Sequence, residues 1–342
     1  MKKSLLALAV LGAFVGAASA QSSVTIFGVV DLSLANIKND GSDARRSMNS
    51  NALNSNRLGF RGVEDLGGGL SAKFHLEGAM ANDTGNPGAL TFQRRSTVGL
   101  AGRFGEVRLG REYTPSFWNT TIFDPFGTNG VESSLNVSTN SALIPTYVRS
   151  NNAVAYYLPG GLGGLYGEAM FGLGEGGPGK YVGGRIGFAA GPVNVAVGIG
   201  KTDLDVAGNL TGDVVNIAGQ YKVGPATIMA QWNNETRDLT ATTEAKENRI
   251  LLGVNIVMGQ GEIRASWNRF DNKTAGAAGN ADATQLALGY IYNLSPRTAL
   301  YATYASISND SPAQFQVSAS SAALPTAGGK STGLEAGLRH SF

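Results

Sequence analysis

Apolar and polar residues alternate along this chain from one end to the other, with almost no helical periodicity between them. Successive side chains of a β-strand point to opposite faces, so a period of two marks strands with one face in an apolar medium. In "ENRILLGVNIVM", Ile250, Leu252, Val254 and Ile256 share one face, against Arg249, Gly253 and Asn255 on the other. "DVVNIAGQY" sets Val215, Ile217 and Tyr221 against Asn216, Ala218 and Gln220. "EIRASWNRF" sets Ile263, Ala265 and Trp267 against Glu262, Arg264, Ser266 and Asn268. The chain reads as all-β.

The connections are unequal. Tight Gly/Pro/Asn turns fall at 66–69, 102–105, 159–163, 190–192, 223–225, 258–261 and 293–296. Longer polar connections fall near 36–55, 80–91, 114–145, 173–179, 202–211, 236–246, 271–282 and 308–330. Seven short turns alternating with eight long loops divide the chain into sixteen antiparallel strands of roughly ten residues, with both termini on the short-turn side. A soluble sandwich needs no such asymmetry, and a propeller or solenoid would show a blade or rung repeat that the residues lack. An outer-membrane barrel demands it, because its periplasmic turns are short, its external loops long and its strand number even. The expected fold is a 16-stranded antiparallel transmembrane β-barrel in the outer membrane of a Gram-negative cell.

The first residues agree with export. Lys2 and Lys3 precede an apolar run over 5–16 and then Ala18, Ser19 and Ala20, the pattern of a secretory signal peptide cleaved after residue 20. A single barrel domain over 21–342 remains. No later apolar run approaches the roughly 20 residues of a membrane helix. The leader carries two lysines and no acid, so of 27 basic and 25 acidic residues the mature chain keeps 25 of each. A neutral chain offers no bulk field for nucleic acid. Without cysteine, disulfides cannot stabilise it.

The polar faces carry Gln, Asn, Glu, Arg and Ser, which suits a water-filled lumen better than a packed core. Aromatic residues near strand ends (Tyr113, Tyr156, Tyr157, Tyr221, Trp232, Trp267, Phe270, Tyr290 and Tyr292) fit an interfacial girdle, although β-propensity alone would also enrich them. The closing segment "LEAGLRHSF" puts Leu334, Ala336, Leu338 and Phe342 toward lipid or a neighbouring subunit and Glu335 and Arg339 toward water. A barrel has no free edge, so this strand must pair with the first, over 23–34. His340 is then the polar member of an apolar face.

No catalytic constellation competes with a channel. The two histidines, His75 and His340, are too few for a zinc triad, and there is no G-x-S-x-G elbow. "GGKST" at 328–332 mimics the tail of a phosphate loop, but Leu324 stands where that motif needs glycine. Neither enzyme activity nor a cofactor or metal is expected.

Five segments resemble the trimeric general porins of Gram-negative outer membranes, in their betaproteobacterial branch: "SVTIFGVVD" (23–31), "NRLGFRGVEDLGGGLSAKFHLE" (56–77), "FQRRSTVGLAGRFGEVRLGREYTP" (92–115), "YVRSNNAVAYYLP" (147–159) and the final "GLRHSF". The resemblance implies sixteen strands, a homotrimer and a third loop folded inward as a constriction. That loop would be 114–145, the longest irregular stretch, and loops of such length are usually functional. On it Asp124, beside Pro125 and Gly127, and Glu132 are the candidate acidic residues. The resemblance also implies that the barrel-assembly machinery reads the last strand, through Phe342 and Leu338. Outer-membrane lipid, lipopolysaccharide, small hydrophilic solutes and inorganic ions complete the expected partners.

The remaining chemistry lies in arginines. Arg57 and Arg149 have lumen parity and match positions where the resemblance places constriction arginines. At Arg94 and Arg95 the two arguments diverge: alternation points Arg95 inward, whereas the family motif favours Arg94. Arg61, Lys73 and Arg108 share lumen parity, and Glu77 and Glu112 oppose them. Each arginine could instead sit on a solvated rim or in a subunit interface. Facing Asp124 across a narrow pore, they would create a transverse field favouring anions. The expected function is passive diffusion with weak to moderate anion preference. A substrate-specific channel would need an aromatic line, of which Tyr156, Tyr157 and Tyr301 are fragments, and a barrel-anchored adhesin would need larger external loops.

Overall fold

The computed structural model describes residues 23–85, 91–274, 281–318 and 323–342, so the leader over 1–20 lies outside the described residues. The first strands are β1 (Ser23–Asn39), β2 (Arg45–Ser50), β3 (Arg57–Gly67), β4 (Leu70–Ala79), β5 (Arg95–Gly102) and β6 (Gly105–Tyr113). After a long loop come β7 (Arg149–Tyr157), β8 (Leu165–Gly172), β9 (Tyr181–Ala190), β10 (Val193–Asp203), β11 (Thr211–Val223) and β12 (Ala226–Thr240). The chain closes with β13 (Thr243–Met258), β14 (Gly261–Asn272), β15 (Ala283–Asn293), β16 (Thr298–Asn309) and β17 (Lys330–Ser341). All neighbours pair antiparallel in one continuous sheet.

Both β2 and β3 pair with β1, Leu32 to Ile37 lying opposite β2 and Ser23 to Val29 opposite β3. They are two halves of one barrel strand, interrupted where Ala52 and Leu53 turn inward and become buried. Counted so, the barrel has the sixteen strands that the turn pattern implies.

Closure is as the last strand requires. Val29 faces Ser341 and Asn39 faces Ser331 across the β1–β17 seam. At its end Gly28 N donates to Phe342 O at 3.0 Å and Phe342 N donates to Gly28 O at 3.1 Å. The ring of Phe342 fills the place where a Cβ on residue 28 would stand, so glycine is required there. Leu334 and Leu338 face outward, while Glu335 is buried within the lumen. Val195, Val197 and Ile199 of β10, and Leu286 and Leu288 of β15, belong to an exposed apolar face that runs around the barrel. Only lipid or another subunit can cover so much apolar surface.

Two expected loops are wholly or partly strand. Of the stretch over 36–55, residues 36–39 and 45–50 are ladder while 40–44 form a turn and 51–55 the break before β3, and β12 and β13 run on to a tight turn at 241–242 in place of a loop over 236–246. Thr240 Oγ1 accepts from Thr242 N and Thr243 N at 3.2 and 3.1 Å and closes that tip. Above the membrane both faces of a hairpin are wet, so hydrophobic alternation stops while backbone pairing continues.

The connection from β6 to β7 enters the barrel. It carries α1 (Pro115–Ile122), a 3₁₀ turn (Ser134–Val137) and α2 (Asn140–Leu143). Pro115 at the first helical position is preorganised for α1, since its missing N–H would have no partner there.

Candidate functional site

One wall of the lumen holds this third loop. Contacts of α1 are with β8 to β11, and the 3₁₀ turn rests on β14 and β15. Asn216 Nδ2 donates to Ser116 O at 2.8 Å, Gln231 Nε2 to Thr120 O at 3.0 Å, and Gln285 Nε2 to Val131 O at 3.1 Å. The polar face that alternation assigns to water is here a row of amides saturating loop carbonyls. At the centre Arg249, 2% exposed, pairs with Glu235, 1% exposed. Tyr147 of the loop donates its hydroxyl to Glu235 Oε1 at 2.7 Å and accepts from Arg249 Nη2 at 2.6 Å. A buried charge pair needs such added hydrogen bonds to offset its desolvation. The loop approaches so closely that a Cβ on residue 253, a glycine, would collide with the ring of Pro125.

The facing wall is cationic. A cavity of about 630 Å³ separates it from the loop, lined on the wall side by Arg57, His75, Glu77, Arg94, Arg95 and Arg149. Glu77 Oε1 lies 2.5 Å from Arg94 Nε and 3.9 Å from Arg57 Nη1. Tyr113 joins the arginines to the loop: its hydroxyl accepts from Arg94 Nη2 at 2.7 Å and from Arg149 Nη2 at 2.6 Å. Its ring stacks on Phe117 of α1, 5.7 Å between centroids, while the Arg149 guanidinium lies 4.3 Å over it. Cation–π attraction and the shared oxygen hold two like charges side by side.

A second tier lies below. Lys73 Nζ is 3.0 Å from Glu106 Oε2, Arg95 Nε is 2.9 Å from Glu112 Oε2, and Arg108 bridges both acids, at 3.1 Å from Glu112 Oε2. Arg61, 5.3 Å from the Phe27 ring centroid, has no acid within ion-pair distance among the described residues. Seven cations on this wall, Arg57, Arg61, Lys73, Arg94, Arg95, Arg108 and Arg149, thus meet three carboxylates, Glu77, Glu106 and Glu112, an excess of four.

Both members of the Arg94/Arg95 pair turn inward. Arg95 is the first residue of β5 and obeys its alternation, whereas Arg94 precedes the strand and is free of it. Tyr113 and its register partner Arg149 meet the loop where the β6–β7 register shifts between Gly110 and Glu112. Asn152, with φ of 50°, sits in that irregularity, and such bulges re-aim the side chains beside them. Tyr157 also faces the lumen, and Phe270 is buried against Phe315, so these two and Tyr113 leave the interfacial girdle. Tyr221, Tyr290 and Tyr292 are exposed on the outside as a girdle requires.

The loop's carboxylates are differently placed from the sequence expectation. Asp124 is 4% exposed and accepts from Phe126 N at 2.8 Å and Ser134 N at 3.4 Å, bonds that fold the loop onto itself. Glu132 is 1% exposed and accepts from Thr303 Oγ1 at 3.2 Å on the supporting wall. Burial raises the carboxyls of both above the ordinary range, and for Glu132 the nearby Glu335 carboxylate adds to it. The surface that loop 3 turns to the arginines is mainly neutral, with Trp118, Thr121, Pro125, Thr128 and Asn129; Asp124 also borders the cavity, but its carboxylate is nearly buried and is turned to the loop's own N–H groups. Sequence reasoning missed the Arg249, Glu235 and Tyr147 seat; only arginine and glutamate at diagonal lumen positions of neighbouring strands, with Arg249 opposite Asn233 and Glu235 opposite Glu247, could have signalled it.

Residues 7–312 match the family model described as Gram-negative porin. Outer membrane porin protein 32 of Delftia acidovorans is 37% identical, with all of both chains covered, and an outer membrane porin protein of Bordetella pertussis is 28% identical, also over both full lengths. The solved structure of an anion-selective porin from Comamonas acidovorans superposes with a TM-score of 0.85 at 34% identity, covering 94% of this chain and 100% of that one. OmpT of Vibrio cholerae, 16% identical with a TM-score of 0.71, shares the fold over 95% of this chain and 100% of its own. With sixteen strands, an inward third loop and these matches, the chain belongs to the Gram-negative porin family, whose members are water-filled channels of the outer membrane.

Proposed function

We propose that this general diffusion porin prefers anions because one cationic wall faces a largely neutral loop. The excess of four positive charges on the wall, shared between the 630 Å³ constriction and the tier below it, carries the reading. A low-dielectric wall focuses that field, and guanidinium forks suit carboxylate and phosphate solutes. The anion-selective porin that superposes on the chain supports it. The constriction residues are then Arg57, Arg94, Arg95 and Arg149, with Arg61, Lys73 and Arg108 as the lower tier. Asp124 and Glu132 shape the loop instead of supplying an opposing charge. Reversal potentials across a planar bilayer in a KCl gradient test this: chloride should carry most of the current, and Arg57→Ala should shift the potential toward zero. A cation-selective channel would overturn the reading.

Biogenesis completes the proposal. Residues 1–20 are a cleaved leader, Phe342 and Leu338 are read by the assembly machinery, and the exposed apolar face is covered by two further copies in a homotrimer and by lipid and lipopolysaccharide.

A further inference from the structure

Beneath α1, toward the short turns, lies a cavity of about 330 Å³ lined by Trp118, Ile122, Tyr157, Tyr166, Glu168 and Arg185. Glu168 and Arg185 are register partners on β8 and β9. Directly opposed side chains have Cβ atoms about 4.5–5.5 Å apart, and opposite charges so placed ordinarily pair. These two form no ion pair among the described residues, because the guanidinium is held elsewhere. Arg185 Nε donates to Asn119 Oδ1 of α1 at 2.5 Å and Nη2 donates to Tyr166 Oη at 3.3 Å, with the guanidinium 4.9 Å over the Tyr166 ring. Tyr166 is itself fixed by donating to Asn194 Oδ1 at 2.7 Å. Both acceptors of Arg185 are neutral, and part of its fork stays open. Glu168 is 9% exposed, and its Oε2 has no hydrogen-bond partner of good geometry among the described residues; the Tyr157 hydroxyl beside it is likewise unpartnered. A buried carboxylate oxygen left so is costly and stands ready for a donor.

The remaining wall is aromatic and apolar. Trp118 and Ile122 come from the loop, and Arg108 lies 4.0 Å over the Tyr157 ring with its charge already met by Glu106 and Glu112. We propose that this cavity is a subsite for a zwitterionic aromatic solute, its carboxylate on Arg185, its ammonium on Glu168 and its ring against Trp118 and Ile122. The volume is at the small end of ligand pockets and suits a single ring. A solute without the ammonium leaves Glu168 unmet, and one without the carboxylate leaves the guanidinium fork unmet. The subsite requires an open lumen but no anion preference, so the two proposals fail separately.

Current block in a planar bilayer tests it, with purified porin and solute added on the short-turn side. L-phenylalanine should reduce the ion current saturably. Its half-blocking concentration should be about tenfold or more below those of 3-phenylpropionate, phenethylamine and glycine, since each lacks one charge-assisted bond or the ring. Glu168→Gln should raise the value for L-phenylalanine to that for 3-phenylpropionate. Equal block by L-phenylalanine and 3-phenylpropionate, or no saturable block, would overturn the subsite. Should the variant not assemble, the solute series on the unaltered channel decides alone, and reversal potentials from the same bilayers report the anion preference independently.

Discussion

The two walls of the lumen start from the same alternation and end in opposite physical states. From β8 round to β17 the inward residues include Asn216, Gln231, Gln285, Glu235 and Arg249, each at most 4% exposed and committed to the third loop. From β3 to β7 the charged inward residues, arginines, a lysine and glutamates, stay in contact with the cavity. Polar residues at period two therefore specify a wet face only until something folds onto it. One wall's polar groups fix the size of the aperture; the other's set its charge.

The largest effect should come from breaking the seat. Arg249→Met leaves Glu235 buried without its cation, and removing one partner of such a pair costs about 3–5 kcal/mol. Thermal unfolding of the purified protein should show this loss, and single-channel conductance should rise as the loop loosens. Unchanged conductance with lowered stability would mean that the amide contacts alone retain the loop.

A matched pair of substitutions separates the walls by charge. Arg149→Ala removes a cation whose polar partner is the neutral Tyr113 hydroxyl, whereas Arg264→Ala, across the cavity, removes one already paired to Glu262 at 2.8 Å. The first should lower the chloride-to-potassium permeability ratio by roughly fivefold, the second by less than about twofold, for differences near 1 kcal/mol at a solvated wall. Equal shifts would mean that total charge, not its side, governs selectivity. The contrast should shrink at 1 M salt, where screening acts within about 3 Å.

Much of this was legible in the residues, and the failures share a cause. Strand number, closure through Phe342 and the inward course of Arg57 follow from alternation and turn chemistry, which are local. Arg94 and Tyr113 lie at strand ends, where one bulge or one residue off the ladder changes which way a side chain points. Asp124 and Glu132 needed the tertiary path of the loop, since a carboxylate in a polar stretch looks the same whether it faces water or a backbone N–H. The hairpin of β12 and β13 had no hydrophobic face to betray it beyond the membrane.

A smaller effect links pH to a second anchor of the loop, Glu132 on Thr303. The Glu132 carboxyl is raised by burial and by Glu335, so the folded chain holds its proton more tightly than the unfolded chain does. Ionisation then opposes folding: the Glu132 anchor is firmest below the ordinary carboxylate value of about 4.3 and weakens as pH climbs toward the elevated one. Other groups add their own slopes, so the difference between the wild type and Glu132→Gln isolates this one. The wild type should lose more thermal stability than the variant between acid and neutral pH, and the reverse order would mean that the ionised carboxylate is the favoured form.

The smallest change tests the point where the walls meet. Tyr113→Phe keeps the stack on Phe117 and the platform under Arg149 but deletes the oxygen that both Arg94 and Arg149 use. Each guanidinium can turn to water, so the loss should be about 1 kcal/mol. With no charge removed, anion preference should fall by less than in Arg149→Ala, while fluctuations of the open-channel current should grow as the two arginines repel one another. If selectivity fell as far as in Arg149→Ala, the hydroxyl would be fixing the arginines where the field needs them, and the ring beneath them would contribute little.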